Sequence, residues 1–290
     1  MRNSNLISTP RLAYQTNTWG GVVGHPSGVT SPRDLFYLTH GSDEQALRDI
    51  ARAGYAGFEI FDGNLQRYAN EPARFDTLMR DTGLVLVAVY SGASFIYADV
   101  AHDEFARLEV AMKSAQRFGA MFFVVGGGAI RAEGPRDADY EALAKSLDRV
   151  VRLAETHGLR AAYHPHLGTI SESPEQLSRI LDLTEISLCP DTAHLVAGGG
   201  DAAVIVRDYR DRVEYVHFKD YADGRFLPLG EGIVDIRGVV RELAAVNDLP
   251  WWTVELDETD RDPGAMAAQS RHVLEGVISE VASVEAMNRD

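Results

Sequence analysis

Histidine and carboxylate residues crowd four short stretches in the second half of the chain, each at the end of an apolar, strand-like run. They are Tyr163-His164-Pro165-His166, Cys189-Pro190-Asp191-Thr192-Ala193-His194, His217-Phe218-Lys219-Asp220 and Glu255-Leu256-Asp257. A buried charge is costly unless it is paired or bound to a metal, so packing alone gives no reason for four such clusters in succession. One residue from each, His164, Asp191, His217 and Glu255, makes a set of two imidazoles and two carboxylates. That set suits Mn²⁺, Co²⁺, Mg²⁺ or Zn²⁺ with positions left open for substrate oxygens. A single strand-end histidine or aspartate is usually a cap or a loop residue; it is the recurrence that points to a cation.

The elements that must position these residues follow a regular beat. Strand-like runs are expected at Leu12 to Thr16, Gly57 to Phe61, Leu84 to Tyr90, Met121 to Val125, Leu159 to Tyr163, Ile186 to Cys189, Val213 to His217 and Trp251 to Glu255. Helical stretches with start and stop signals follow nearly every one. Ser42 with Gln45 and Ser173 with Gln176 read as capping boxes, and Pro72 and Gly83 frame another helix. Eight strand and helix pairs over residues 1–290, with no linker-like interruption, fit one (β/α)8 TIM barrel domain. A doubly wound open sheet is the alternative, because alternation alone does not prove closure. In a barrel the chemistry sits at the carboxyl ends of the strands, where the four clusters fall.

Composition narrows the function classes. With 28 basic against 43 acidic residues the net charge is -15, which repels phosphate backbones and anionic lipid surfaces. Neither nucleic acid nor a membrane is an expected partner, and no run reaches the roughly 18 apolar residues of a membrane span. A lone cysteine, Cys189, and a polar N-terminus fit a cytoplasmic protein. Cys189 sits inside an apolar run and reads as core. Gly126 to Gly128 and Gly198 to Gly200 read as tight turns, since no Lys-Ser/Thr follows to complete a phosphate loop. Trp19 either walls a sugar site or packs, and Glu59 either points into the barrel mouth or forms a salt bridge.

Taken in order, His164-Pro165-His166-Leu167-Gly168-Thr169, Asp191-Thr192-Ala193-His194-Leu195 with Gly198-Gly199-Gly200-Asp201, His217-Phe218-Lys219-Asp220 and Pro228-Leu229-Gly230-Glu231-Gly232 resemble the xylose isomerase-like barrel superfamily. Within it they are most similar to the sugar phosphate isomerase/epimerase and inosose dehydratase branch. The resemblance implies a TIM barrel with one divalent metal, Mn²⁺, Co²⁺ or Mg²⁺, on His164, Asp191, His217 and Glu255. It also carries a departure. The related ketose epimerases hold a glutamate where His164 stands, which forms a proton-shuttling pair with the last glutamate, so a dehydratase-like elimination gains over symmetric epimerisation.

The chemistry so implied is proton abstraction beside the carbonyl of a keto-sugar or keto-cyclitol, through an enediolate. His166 or Glu255 is the expected base, with His164 in the catalytic group as well. His194, Lys219, Trp19, Glu59 and Glu231 are expected to bind substrate, Glu231 from a loop that could fold over the site. The alternatives are a lyase that cleaves a 3-keto-glycoside, with a small β-rich partner subunit, and a non-catalytic sugar-binding barrel. A homo-oligomer is the other assembly left open.

Overall fold

The computed structural model describes residues 9–21, 36–246 and 249–287. Its strands are β1 (Arg11–Gln15), β2 (Gly57–Phe61), β3 (Val85–Ala93), β4 (Phe122–Gly127), β5 (Arg160–Tyr163), β6 (Ser187–Leu188), β7 (His217–Phe218), β8 (Asp220–Ala222), β9 (Arg225–Leu227) and β10 (Trp251–Val254). Its helices are α1 (Asp43–Arg52), α2 (Asp62–Gln66), α3 (Pro72–Thr82), α4 (Ala101–Arg117), α5 (Asp137–Thr156), α6 (Pro174–Leu181), α7 (Thr192–Ala197), α8 (Ala202–Asp208), α9 (Ile236–Leu243) and α10 (Pro263–Met287). The helix starts follow their caps. Ser173 and Gln176 form the full reciprocal box at α6. At α1 only half forms: Ser42 accepts from the Gln45 backbone, while the Gln45 amide turns to Asp49 at 2.9 Å. Asp201 and Asp235 cap α8 and α9.

Eight strands form one parallel sheet in the order β6-β5-β4-β3-β2-β1-β10-β7. Its two ends then meet. Parallel bridges pair Leu188 with Val213 and Asp191 with His217, carried by Glu214 N–H donating to Leu188 O at 3.2 Å and His217 N–H donating to Pro190 O at 3.0 Å. The sheet is therefore a closed barrel and the open doubly wound alternative is set aside. The sixth strand is shorter than expected, as Pro190 has no N–H to extend its ladder, and the seventh is confined to His217–Phe218.

Beyond α2, a short helix directly after β2 that was not expected, two further stretches differ from the sequence reading. The stretch after the seventh strand, expected to be a loop, contains an antiparallel hairpin of β8 and β9. Its turn is Asp223-Gly224 with φ of 51° and 75°, the left-handed pair that an Asp-Gly dipeptide favours in two-residue hairpins. The other is α7, which starts directly at Asp191 ahead of the expected helix at Asp201. Asp220 organises the segment after the hairpin: its carboxylate accepts from the backbone N–H of Tyr221, Gly230, Gly232 and Val234. A Cβ at Gly232 would overlap Asp220 Oδ1, so the Pro228-to-Gly232 motif is a turn docked on this carboxylate. Pro26, between the first strand-like run and the Ser42 cap, lies outside the described residues.

Side chains alternate along each strand between two cores. Tyr14, Tyr163, Val216, Phe218, Trp252 and Val254 pack outward against the helices. Ala13, Phe122, Val124, Ala162, Cys189, Tyr215 and Trp251 form a separate inner cluster. Cys189 is fully buried there, as a small core residue.

A buried ion pair locks α2, β3 and α4 together. Asp62 accepts from Tyr37 N–H and Gly63 N–H at 2.8 Å, Ser91 Oγ at 2.5 Å and Arg107 Nη1 at 3.2 Å. Removing one member strands the other in the core, so Asp62→Ala should lower unfolding stability by about 3–5 kcal/mol. Urea denaturation measures this, and an unchanged midpoint would show the pair to be dispensable.

Candidate metal centre

The alternation that builds the inner core also builds the site. Two positions beyond the inward residues Ala162, Cys189 and Tyr215 stand His164, Asp191 and His217. Glu255 follows Thr253, whose hydroxyl hydrogen-bonds the Tyr215 hydroxyl at 2.5 Å. One side chain from each of four adjacent strand ends therefore reaches the same layer at the carboxyl end of the barrel. One donor atom from each of His164, Asp191, His217 and Glu255 lies within 4.8 Å of all the others, and all four residues are buried.

Three of the four are tied down on one side and left free on the other. Asp191 Oδ1 caps α7, accepting from Ala193 N–H at 2.9 Å and His194 N–H at 2.8 Å. Glu255 Oε1 accepts from Asn17 Nδ2 at 2.8 Å. His217 Nε2 contacts Glu59 Oε2 at 3.0 Å, and Gln15 holds Glu59 from behind at 2.9 Å. Among the described residues the opposing atoms, Asp191 Oδ2, Glu255 Oε2 and His217 Nδ1, and both nitrogens of His164 make no well-aligned hydrogen bond; they face one another instead, His217 Nδ1 2.9 Å from Glu255 Oε2 and His164 Nε2 3.5 Å from Asp191 Oδ2. Buried polar atoms without partners are rare in folded proteins. A divalent cation would satisfy all of these at once, so the residues fit the metal that their types implied. The outer partners Glu59 and Asn17 serve as such partners do in metal sites, fixing the orientation of the ligands.

A lysine shares the centre. Lys219 is fully buried, its ammonium 2.7 Å from Asp257 Oδ1, 3.2 Å from Glu255 Oε2, 3.4 Å from Asp191 Oδ2 and 3.4 Å from His194 Nε2. Burial disfavours its charge, yet the three carboxylates outweigh this and raise its pKa. The same field sets the other groups. Burial opposes ionisation of Glu255, but the charges of Lys219 and His217 bring it down to about 2. Burial with too little compensation pushes Asp257 up to about 7. His217 resists its own burial because Glu59 and Glu255 flank it, and is raised to about 10.

His166 and His194 stack with ring centroids 3.8 Å apart. Burial, then the neighbouring imidazoles, keeps both neutral, His166 at about 3. His166 Nδ1 lies 2.7 Å from Leu167 O, so it carries the ring proton and leaves Nε2 as the basic nitrogen.

Of the other expected residues, Glu59 lies inside the barrel behind His217. Trp19 does not join the cluster: its indole N–H donates to Asp49 on α1 at 2.9 Å and its ring meets Tyr14 edge-on. Glu231 is held at the surface by both Arg261 guanidinium nitrogens at 2.9 Å and by Gln269. Three residues at the mouth were not expected: Asn17, Asp257 and Phe226, whose ring lies 4.7 Å from the Lys219 ammonium and 4.6 Å from the His194 ring. Asp257 stands two residues past Glu255, where the period of two could have found it, whereas Asn17 lies in the short helical turn after β1, outside any strand period.

Metal binding must displace the proton on His217 Nδ1, because Nε2–H stays committed to Glu59. Below about pH 10 the apparent affinity for Mn²⁺ or Co²⁺ should therefore rise with pH, by about tenfold per unit for each proton released. Titration calorimetry between pH 6.5 and 8.5 measures this, and a flat affinity would contradict it.

Three comparisons place this geometry among known proteins. Residues 47–276 match the family model described as xylose isomerase-like TIM barrel. Inosose dehydratase of Geobacillus kaustophilus (strain HTA426) is 24% identical over 254 residues, covering 76% of this chain and 81% of that protein. Among solved structures, L-ribulose 3-epimerase superposes with a TM-score of 0.73 at 16% identity, covering 97% of this chain and 99% of the other. The IOLI protein with a binding zinc atom gives 0.71 at 15% identity, with 93% and 99% covered. With the family match spanning most of a closed eight-stranded barrel, the chain belongs to the xylose isomerase-like TIM barrel family.

Proposed function

We propose that the chain is a metal-dependent enzyme of the sugar isomerase/epimerase or inosose dehydratase type. It acts on a keto-sugar or keto-cyclitol by removing the proton beside the ketone, and elimination is the favoured outcome. The observation that carries this reading is the group of four buried side chains whose donor atoms converge within 4.8 Å of one another, set beside a neutral histidine. The inosose dehydratases to which the chain is similar support the substrate class.

His164, Asp191, His217 and Glu255 would hold one divalent ion, Mn²⁺, Co²⁺ or Mg²⁺. Bound there, such an ion supplies Lewis-acid stabilisation of negative charge on the ketone oxygen. The proton chemistry belongs to the chain. His166 Nε2 takes the α-proton, in keeping with its neutral form and fixed tautomer. Its low basicity restricts it to a proton already acidified by the neighbouring carbonyl. Lys219 supplies the opposite function: with Asp191 Oδ2 and Glu255 Oε2 committed as ligands, its N–H groups turn to a substrate oxygen. Loss of the β-hydroxyl with a proton from Lys219 releases water, and the electron pair left at the α-carbon closes the new double bond. His194 holds a substrate hydroxyl beside it. Epimerisation needs a second proton carrier on the opposite face. The ketose epimerases keep a glutamate there, whereas His164 is committed with the other ligands.

Treatment with EDTA should abolish turnover, and Mn²⁺ or Co²⁺ should restore it. In D₂O, a panel of inososes, keto-sugars and 3-keto-glycosides should show solvent deuterium at the α-carbon of the substrate or a dehydrated product by NMR. His166→Gln should lower kcat by about 10²–10⁴-fold with metal content unchanged. Full activity in metal-free protein would refute the reading.

A further inference from the structure

Four buried side-chain oxygens lack a partner among the described residues. Two are Asp191 Oδ2 and Glu255 Oε2, which face the other donor atoms of the metal centre. The remaining two, Asn17 Oδ1 and Asp257 Oδ2, lie outside it on two neighbouring residues. Asn17 follows β1 and Asp257 follows β10, strands paired in the barrel, and Asn17 Nδ2 reaches Asp257 Oδ1 at 3.4 Å. Both residues are buried, with Asn17 wholly enclosed and Asp257 6% exposed. The orientation of Asn17 is set by its own contacts. Its NH₂ group sits between the carboxylates of Glu255 and Asp257, so its oxygen can only accept a hydrogen bond.

We infer that Asn17 Oδ1 and Asp257 Oδ2 form a hydroxyl-binding subsite that selects an uncharged polyhydroxylated ring and excludes a phosphorylated one. This rests on the reading of a keto-sugar or keto-cyclitol substrate given above and specifies which part of that class is taken. A substrate hydroxyl can donate to each oxygen, and leaving either oxygen unpaired in a buried site is costly. A phosphate dianion has no donor to offer them. Beside Asn17 it would also meet the Asp257 carboxylate, whose other oxygen is already paired with Lys219 at 2.7 Å. Arg225 and Arg261 lie on the surface and Arg131 is half-buried, Arg131 and Arg261 in pairs with Asp139 and Glu231. The carbonyl end of the substrate then lies toward the metal centre and its distal hydroxyls toward β1 and β10.

Titration calorimetry on the Mn²⁺-loaded chain tests this with myo-inositol, its monodeoxy analogues and a myo-inositol monophosphate. Wild type should bind myo-inositol, bind at least one monodeoxy analogue about 10- to 100-fold more weakly, and bind the monophosphate at least about tenfold more weakly. In Asn17→Ala or Asp257→Ala, with metal content and Tm checked, the penalty for that analogue should vanish. If Asp257→Ala does not fold, Asp257→Asn should shrink the same penalty. The inference is overturned if myo-inositol does not bind, if wild type takes the monophosphate equally well, or if the variants keep the wild-type penalty. Deuterium exchange on the ketone panel is read separately. Exchange with a flat hydroxyl pattern removes the subsite alone, whereas absent exchange removes the proposed reaction while the binding series still decides the subsite.

Discussion

Burying two imidazoles and two carboxylates in one layer at a barrel mouth concentrates charge where an uncompensated ion costs several kcal/mol. In this chain the compensation is divided. One atom of Asp191, of Glu255 and of His217 is anchored by α7, by Asn17 and by Glu59, and these anchors aim the opposite atom at a shared point. Lys219 supplies a cation beside that point without satisfying the free atoms by hydrogen bonds. The geometry is stable as protein but electrostatically unfinished, and a divalent ion is the simplest group that completes it.

The rest of the fold serves this layer. Parallel closure brings Asp191 against His217 through a single bridge, so the join of the barrel and the centre of the site coincide. The inner cluster of Ala162, Cys189 and Tyr215 forms the floor beneath, with Tyr90 edge-on to His164 at 5.4 Å. Asp220 spends its hydrogen bonds on the turn after the hairpin, which places Phe226 over His194 and Lys219. The last residue of the His217-Phe218-Lys219-Asp220 motif is thus structural, while His217 and Lys219 face the centre.

The barrel was legible because parallel strands buried on both faces leave continuous apolar runs, and helices between them leave caps such as Ser173 and Asp235. The four donor residues were legible because each ends a strand and the side-chain period of two is invariant. Other features depend on tertiary neighbours. Trp19 could wall a sugar site or pack, and only the position of Asp49 on α1, which takes its N–H, shows it packed. Glu231 shares a motif with the lid-like loop, but Arg261 and Gln269 hold it at the surface. Asn17 lies in a short Thr-Asn-Thr turn that resembles an ordinary polar connection, and its role emerges only when β1 is set beside β10. The Asp223-Gly224 hairpin signal was present in the sequence and was overshadowed by the expectation of a lid.

Everything proposed for the site depends on one divalent cation occupying the point on which these four side chains converge. Anomalous diffraction from crystals of the Mn²⁺-loaded chain, recorded near the manganese edge, locates such an ion without reference to activity. One strong peak is expected within about 2.0–2.4 Å of an imidazole nitrogen of His164, of His217 Nδ1, and of carboxylate oxygens of Asp191 and Glu255. Saturating Mn²⁺ with no peak there, or with the Lys219 ammonium filling that point instead, would contradict the metal centre.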